Sequence, residues 1–336
     1  MAQGAAGEDA FEKVLTAIAG RQPSSGAAAL ACLAGKPAGD GDRAQRERIS
    51  VALASVFAEA KSSTDMLAWL GTSNAFLHSE AGRKFALATA QKAATEPAEQ
   101  AAQSLTKLVE SCMHGPIEKG HAEARAAVDA IYAILRESVR STVLNPNYLA
   151  HARQHKVEKG QVLEAIAKKY TREMGVPLES WTLALVNRIP DPRGMRAGTV
   201  LKVPVDPLHT VVEKSSFLMA VYVGDVIVRL YWIAHGKDNC TPETTFTVGE
   251  KQEKPDWYDS EKGKLIPYGH HENPLGDFFV SFKHDLRRGF GAHGTTEPES
   301  IGTMASRGCI RMRDEDVREF FRIVPRGSKV EVRAST

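Results

Sequence analysis

A series of helical periods stops at Asn145-Pro146, and that break constrains the fold more than any other feature of the chain. Up to it, apolar residues recur every three or four positions, as in Ile49, Leu53, Val56 and Phe57 or in Val128, Ile131, Leu135 and Val139. That spacing places them on one face of a helix. From about His209 the pattern is strand-like instead, over Thr210–Glu213, Phe217–Val223 and Val226–Ala234, with Gly224-Asp225 as a hairpin turn. Helices with one buried face and strands of this kind do not share one ordinary core over 336 residues, so the chain reads as multidomain.

The periodicity predicts four antiparallel helices over Arg43–Leu70, Ser73–Thr95, Pro97–Met113 and Ile117–Leu144. Their breaks fall at Gly71, Glu96-Pro97 and Gly115-Pro116, where glycine and proline punctuate. Residues 43–146 are thus expected to form an N-terminal all-α helical bundle. Residues 1–42 read as a loosely ordered segment, with helix signals only at Phe11–Ile18 and Ala27–Leu33. His78, His114 and His121 read as surface or satisfied polar residues rather than a site.

Composition excludes several functions. Lys and Arg number 43 against 41 Asp and Glu, which leaves no basic footprint for nucleic acid. No apolar run approaches the roughly 20 residues of a membrane span, and Met1–Ala10 is small and polar rather than signal-like. Two expectations stay open: a cytoplasmic protein, or an exported one whose export signal is missing from this sequence. Cys32, Cys112, Cys240 and Cys309 form no CxxC pair, so neither a disulfide framework nor a metal site is expected.

Residues 151–206 read as a small βααβ unit. "HKVEKG" opens it, Leu163, Ile166, Ala167 and Tyr170 line one face of a first helix, Trp181–Val186 gives a second, Asn187–Pro192 turns, and "GTVLKVP" returns as a strand. In order and spacing this block resembles a LysM module. The resemblance implies binding of N-acetylglucosamine-containing glycans, with Gly160, Gln161, Asn187 and Ile189 as candidate contacts. Gln161-Val162 stands where that family has Asp followed by Ser or Thr. A spacer packing the helices against the following domain is the alternative.

Residues 207–334 are expected to form a mostly antiparallel β-sandwich with one helix, Asp314–Ile323. Within them lie Gly291-Ala292-His293-Gly294-Thr295, Ile301-Gly302 and Ser306-Arg307-Gly308-Cys309-Ile310-Arg311-Met312. A thiol attacks as thiolate, so a nearby base or cation has to assist it. His293 is such a base, and Gly308 lets backbone N–H groups approach a substrate carbonyl. On the residues alone, Cys309 is either a nucleophile or a small buried apolar side chain.

These motifs, with "TPETTFTV" at Thr241–Val248 and "NPLG" at Asn273–Gly276, resemble the L,D-transpeptidase (YkuD-type) catalytic domain over about His209–Val332. The resemblance implies acyl transfer on peptidoglycan stem peptides. Cys309 is the nucleophile, His293 the general base and acid, the Gly294 carbonyl the group orienting His293, and the Gly308 backbone part of an oxyanion hole. Ser306, Arg307, Arg311 and Tyr268 are candidate substrate contacts. A 3→3 cross-link forms when an amine resolves the thioester; water gives carboxypeptidase activity, and a protein amine gives wall attachment. A catalytically weak peptidoglycan-binding scaffold is the rival from another class. No cofactor or metal is implied, carbapenem-type inhibitors are implied, and the expected location is the periplasm or cell envelope.

Two positions depart from the family pattern: Arg307 replaces a histidine and Thr244 a glycine. Arg307 either stabilises a thiolate, binds a carboxylate or makes a surface ion pair. Arg311 either faces a substrate carboxylate or pairs with Asp314. Ser306 reads as a hydrogen-bonder beside the nucleophile. Cys240 reads as a buried thiol or a neighbour of the site, and Tyr268, His270 and His271 as a flap or an exposed loop.

Overall fold

The computed structural model describes residues 62–334 except 72, 73 and 260, together with 16, 48 and 52. The helix signals at Phe11–Ile18 and Ala27–Leu33, and most of the Arg43–Leu70 helix, lie outside the described residues. The chain divides into two compact units, one ending at Ser138 and the other beginning at Val139.

In the first unit, α1 (Ser63–Leu70) starts on a reciprocal cap: the Ser62 hydroxyl accepts from the Asp65 N–H, and the Asp65 carboxylate accepts from the Ser62 N–H. The single helix expected over Ser73–Thr95 is two pieces, a 3-10 turn at Asn74–His78 and α2 (Glu80–Ala93). Apolar periodicity alone misses this break, because it is made by a polar side chain: Ser79 Oγ caps α2 by accepting from the Gly82 N–H. After Pro97 comes α3 (Ala98–Met113), and then α4 (Ala122–Ser141), which starts five residues later than its apolar pattern because Gly120 sits before it. Leu105, Leu108, Val109, Val128 and Ile131 are buried as the period requires.

The second unit opens with β1 (Ala152–Lys156), α5 (Leu163–Met174), α6 (Ser180–Val186) and β2 (Val200–Pro204). β1 and β2 pair antiparallel from Ala152↔Pro204 to Lys156↔Val200, and the helices bury Leu163, Ile166, Ala167 and Leu183 against Leu201 and Val203.

After β2 the strands take over: β3 (Leu208–Glu213), β4 (Leu218–Val223), β5 (Val226–Trp232), β6 (His235–Gly236), β7 (Thr245–Glu253), β8 (Trp257–Asp259), β9 (Lys264–Ile266), β10 (Phe278–Lys283), β11 (Phe290–His293), β12 (Met304–Ser306) and β13 (Ile310–Arg311), then α7 (Asp314–Ile323) and β14 (Lys329–Arg333). Eight of them make one sheet in the order β13-β11-β10-β7-β14-β3-β4-β5. Most of its pairings are antiparallel, as expected, but the expected sandwich is corrected to one long sheet, with β14 parallel to β3 and β13 parallel to β11. α7 intervenes before β14 returns to the sheet centre beside β3, and the segment 294–309 carries the chain from β11 to β13; strand periodicity does not reveal these connections.

The small βααβ unit is fastened to this sheet. Lys251 on β7 and Glu179 at the start of α6 form a largely buried ion pair at 2.6 Å, Arg326 holds the other Glu179 oxygen at 3.1 Å, and Thr182 Oγ1 donates to the Ile323 carbonyl at 3.0 Å.

Candidate active site

The register of the sheet edge brings the sequence candidates together. β11 runs parallel to β13 with Ala292 opposite Ile310 and His293 opposite Arg311. Because paired residues share a face, His293 and Arg311 lie on one face, and Cys309 stands immediately before β13, two residues from Arg311. His293 is 3% exposed and Cys309 half-buried.

The imidazole is held from behind. His293 Nδ1 lies 2.6 Å from the Gly294 carbonyl oxygen, which can only accept, so Nδ1 carries the hydrogen and Nε2 keeps its lone pair. Burial drives the His293 pKa down to about 4; the Gly294 and Pro274 carbonyls oppose this and the Arg311 charge reinforces it. A β-carbon on Gly294 would sit 2.4 Å from Asp314 Oδ1, so any larger residue here requires the Asp314 carboxylate to move.

Burial likewise pushes the Cys309 thiol up to about 11, against the Gly291 backbone and the Arg311 charge, both of which favour thiolate. At neutral pH the resting pair is an uncharged imidazole and an uncharged thiol, and Cys309 Sγ donates weakly to the Gly289 carbonyl at 3.4 Å.

The loop before the cysteine is locked by short polar links. Ser306 Oγ donates to the Cys309 carbonyl at 2.6 Å and accepts from the Gly308 N–H at 3.0 Å. Thr241 Oγ1 donates to the Gly308 carbonyl and accepts from the Gly236 N–H, both at 2.8 Å. Gly308 takes φ 126°, which an L side chain rarely adopts. Its N–H is spent on Ser306, so the assignment of that N–H to an oxyanion hole is corrected to a structural role. Thr241 is the residue the sequence reading missed; its signal was the Thr-Pro dipeptide, treated there as a landmark rather than as a brace.

Arg311 Nη1 pairs with Glu297 at 2.7 Å, not with Asp314. Arg307 Nη1 meets Asp259 and Nη2 meets Glu261, each at 3.0 Å, and its guanidinium lies over the Trp257 ring at 5.5 Å. Its ion-pair reading is the one the geometry displays. Tyr268 donates its hydroxyl to Asp277 at 2.7 Å, and His270 stacks on His271 at 4.4 Å. Cys240 is exposed rather than buried, and a β-carbon on Gly236 would touch both its sulfur and Gly308 Cα.

The candidate glycan contacts behave differently. Asn187 is buried and its side chain is fully used inside its own module: Nδ2 donates to Leu183 and Lys202 carbonyls at 2.8 and 2.7 Å, and Oδ1 accepts from the Lys202 N–H at 2.7 Å. It is a fastener, a correction to its reading as a sugar contact. Gln161 Oε1 accepts from the Glu158 N–H at 3.1 Å and lies 2.8 Å from His155 Nε2. Ile189 packs on the module core, and Gly160 is an exposed turn glycine at φ 87°. Among the described residues, no cluster of His, Cys, Asp or Glu is able to hold a metal ion, and no helix is long and apolar enough to cross a membrane.

Comparison with known proteins follows the same division. The family model for the L,D-transpeptidase catalytic domain matches residues 207–332, and that for the LysM domain matches residues 155–204. A putative L,D-transpeptidase of Bacillus subtilis, YqjB, is 38% identical over 38% of this chain and 71% of its own length. The putative L,D-transpeptidase YkuD of Bacillus licheniformis is 30% identical over 53% of this chain and 97% of its own length. Among solved structures, an L,D-transpeptidase from Mycobacterium smegmatis is 21% identical over 41% of this chain and 64% of its own, at a TM-score of 0.33. The chain thus spans less than two thirds of that structure.

Proposed function

The chain belongs to the L,D-transpeptidase family, and from that premise we propose that it cross-links peptidoglycan through a thioester on Cys309. The observation that supports this reading is the β11–β13 register, which sets His293 opposite Arg311, two residues from Cys309, with His293 Nδ1 engaged by the Gly294 carbonyl. The donor is a tetrapeptide stem. Cys309 Sγ attacks the carbonyl of its third residue while His293 Nε2 takes the thiol proton. Burial holds the base's pKa down and the thiol's up, so both groups are uncharged before attack and the proton has to reach Nε2 for sulfur to react. The Cys309 N–H is the donor for the developing oxyanion, since the neighbouring Gly308 N–H is occupied. Arg311 supplies positive charge as sulfur loses its proton. His293 then returns the proton to the leaving D-alanine.

An amine of a second stem resolves the thioester as a 3→3 cross-link, and water resolves it as a tripeptide. The LysM domain supports binding to glycan strands, which would deliver the catalytic domain to its stems, and a peptidoglycan substrate supports a periplasmic or cell-envelope location. The test is incubation with purified disaccharide-tetrapeptides. Dimers containing 3→3 links are expected from the parent protein and none from Cys309→Ala. Equal product from both rejects the mechanism.

A further inference from the structure

The β8–β9 hairpin plays no part in the chemistry above, yet both of its ends are tied to that chemistry. At its stem, Asn273 Nδ2 donates to the Pro255 carbonyl at 3.0 Å and the Ile266 carbonyl at 3.3 Å. The next residue, Pro274, carries the second carbonyl that acts on His293. Near its tip, Asp259 and Glu261 hold Arg307, which lies two residues before Cys309. One short hairpin therefore bridges the base and the nucleophile.

Asp259 is built for this contact. It is 1% exposed, and its Oδ1 also accepts from the Glu261 and Lys262 N–H groups at 3.0 and 3.4 Å, so the carboxylate is fixed before Arg307 arrives. Arg307 itself is 57% exposed in its side chain and is sandwiched between two acids and the Trp257 ring. A planar guanidinium that reaches two separate acids at once and lies over an aromatic ring is a property of arginine, not of the histidine the family pattern has here.

We propose that Arg307 is a positioning residue that clamps the β8–β9 hairpin across the site, keeping the Cys309 thioester away from water until an amine acceptor arrives. The inference rests on the proposed acyl transfer at Cys309. In either resolution the carbonyl–sulfur bond breaks and the thiol regains the proton lost by the attacking group. The new bond is carbonyl–nitrogen with an amine and carbonyl–oxygen with water. With the clamp in place, aminolysis wins.

The experiment uses the full chain and its Arg307→Ala, Asp259→Asn, double and Arg307→Lys variants. Amide hydrogen exchange over 257–266 is measured alongside the ratio of tripeptide to 3→3 dimer at fixed disaccharide-tetrapeptide concentration. Arg307→Ala is expected to speed exchange in the hairpin roughly fivefold. It raises the tripeptide-to-dimer ratio by at least a few-fold while total donor consumption stays within about twofold. Asp259→Asn does the same, the double variant adds nothing further, and Arg307→Lys restores part of the parent ratio.

Unchanged exchange, or faster exchange with an unchanged product ratio, overturns the clamp. So does an effect of Arg307→Ala that Asp259→Asn does not share, which would place Arg307 on the substrate instead. A parent protein that consumes no donor speaks against the acyl-transfer reading. The clamp is then still judged by the exchange data alone, where equal rates in all four variants and the parent refute it.

Discussion

The LysM domain and the nucleophile loop draw on the same kinds of residue, small polar side chains beside glycines, and use them in opposite ways. In the module, Asn187 and Gln161 turn inward and bond to their own backbone. Ser306 and Thr241 do this too, but each braces a peptide carrying the reactive Cys309 or its neighbour. Membership of a motif therefore does not identify a ligand-contacting group. What separates the two regions is whether the bonded peptide itself carries a group with chemistry left to do.

The comparison breaks most sharply at His293. His293→Gln, which keeps most of the buried volume, is expected to lower the rate of donor consumption by about 10²- to 10⁴-fold, measured as product formed at saturating donor, with the melting temperature little lowered. Asn187→Ala should do the reverse. It removes three buried hydrogen bonds, costing about 2–3 kcal/mol of stability in denaturant unfolding, while turnover of soluble disaccharide-tetrapeptide is retained. Equal losses of activity in both variants would erase the distinction drawn between the regions.

A second pair of effects is set by pH. His293 has its pKa depressed to about 4, below the unfolded value of 6.5. Between those values the unfolded chain binds more protons, so stability falls as pH drops from 6.5 toward 4 and levels off below. The loss from this one group is about 3 kcal/mol, readable from unfolding midpoints of the parent against His293→Gln. Activity follows a different rule: the base stays neutral down to about 4, so turnover should change less than about twofold between pH 6 and 8. A limb centred near 6.5 would show that His293 is not buried in the active form.

The smallest expected effect is at the junction between the regions. Glu179→Gln leaves Lys251 buried with a weakened partner and should cost about 1–3 kcal/mol, with the rate on soluble donor unchanged.

The helical faces of α3 and α4, the βααβ order and the pair Cys309 and His293 were legible because each rests on a repeat or a run of glycines close together in sequence. Other features were not. The α2 boundary depends on one hydroxyl, that of Ser79. The single curled sheet depends on a crossover through α7. The β8–β9 hairpin has only three residues in each strand, too few for alternation to register, and it is held by Asn273 and Arg307 from outside its own sequence. The thiol's raised pKa comes from burial, a property of the assembled chain that no local spacing carries.

The central claim is that Cys309, and not its exposed neighbour Cys240, is the group that becomes acylated. Incubation of the full chain with a carbapenem, followed by intact mass and peptide mapping, reads this directly. One adduct is expected per chain, on the peptide containing Cys309, absent from Cys309→Ala and present in Cys240→Ala. No adduct, or an adduct that survives Cys309→Ala and maps to Cys240, would contradict it.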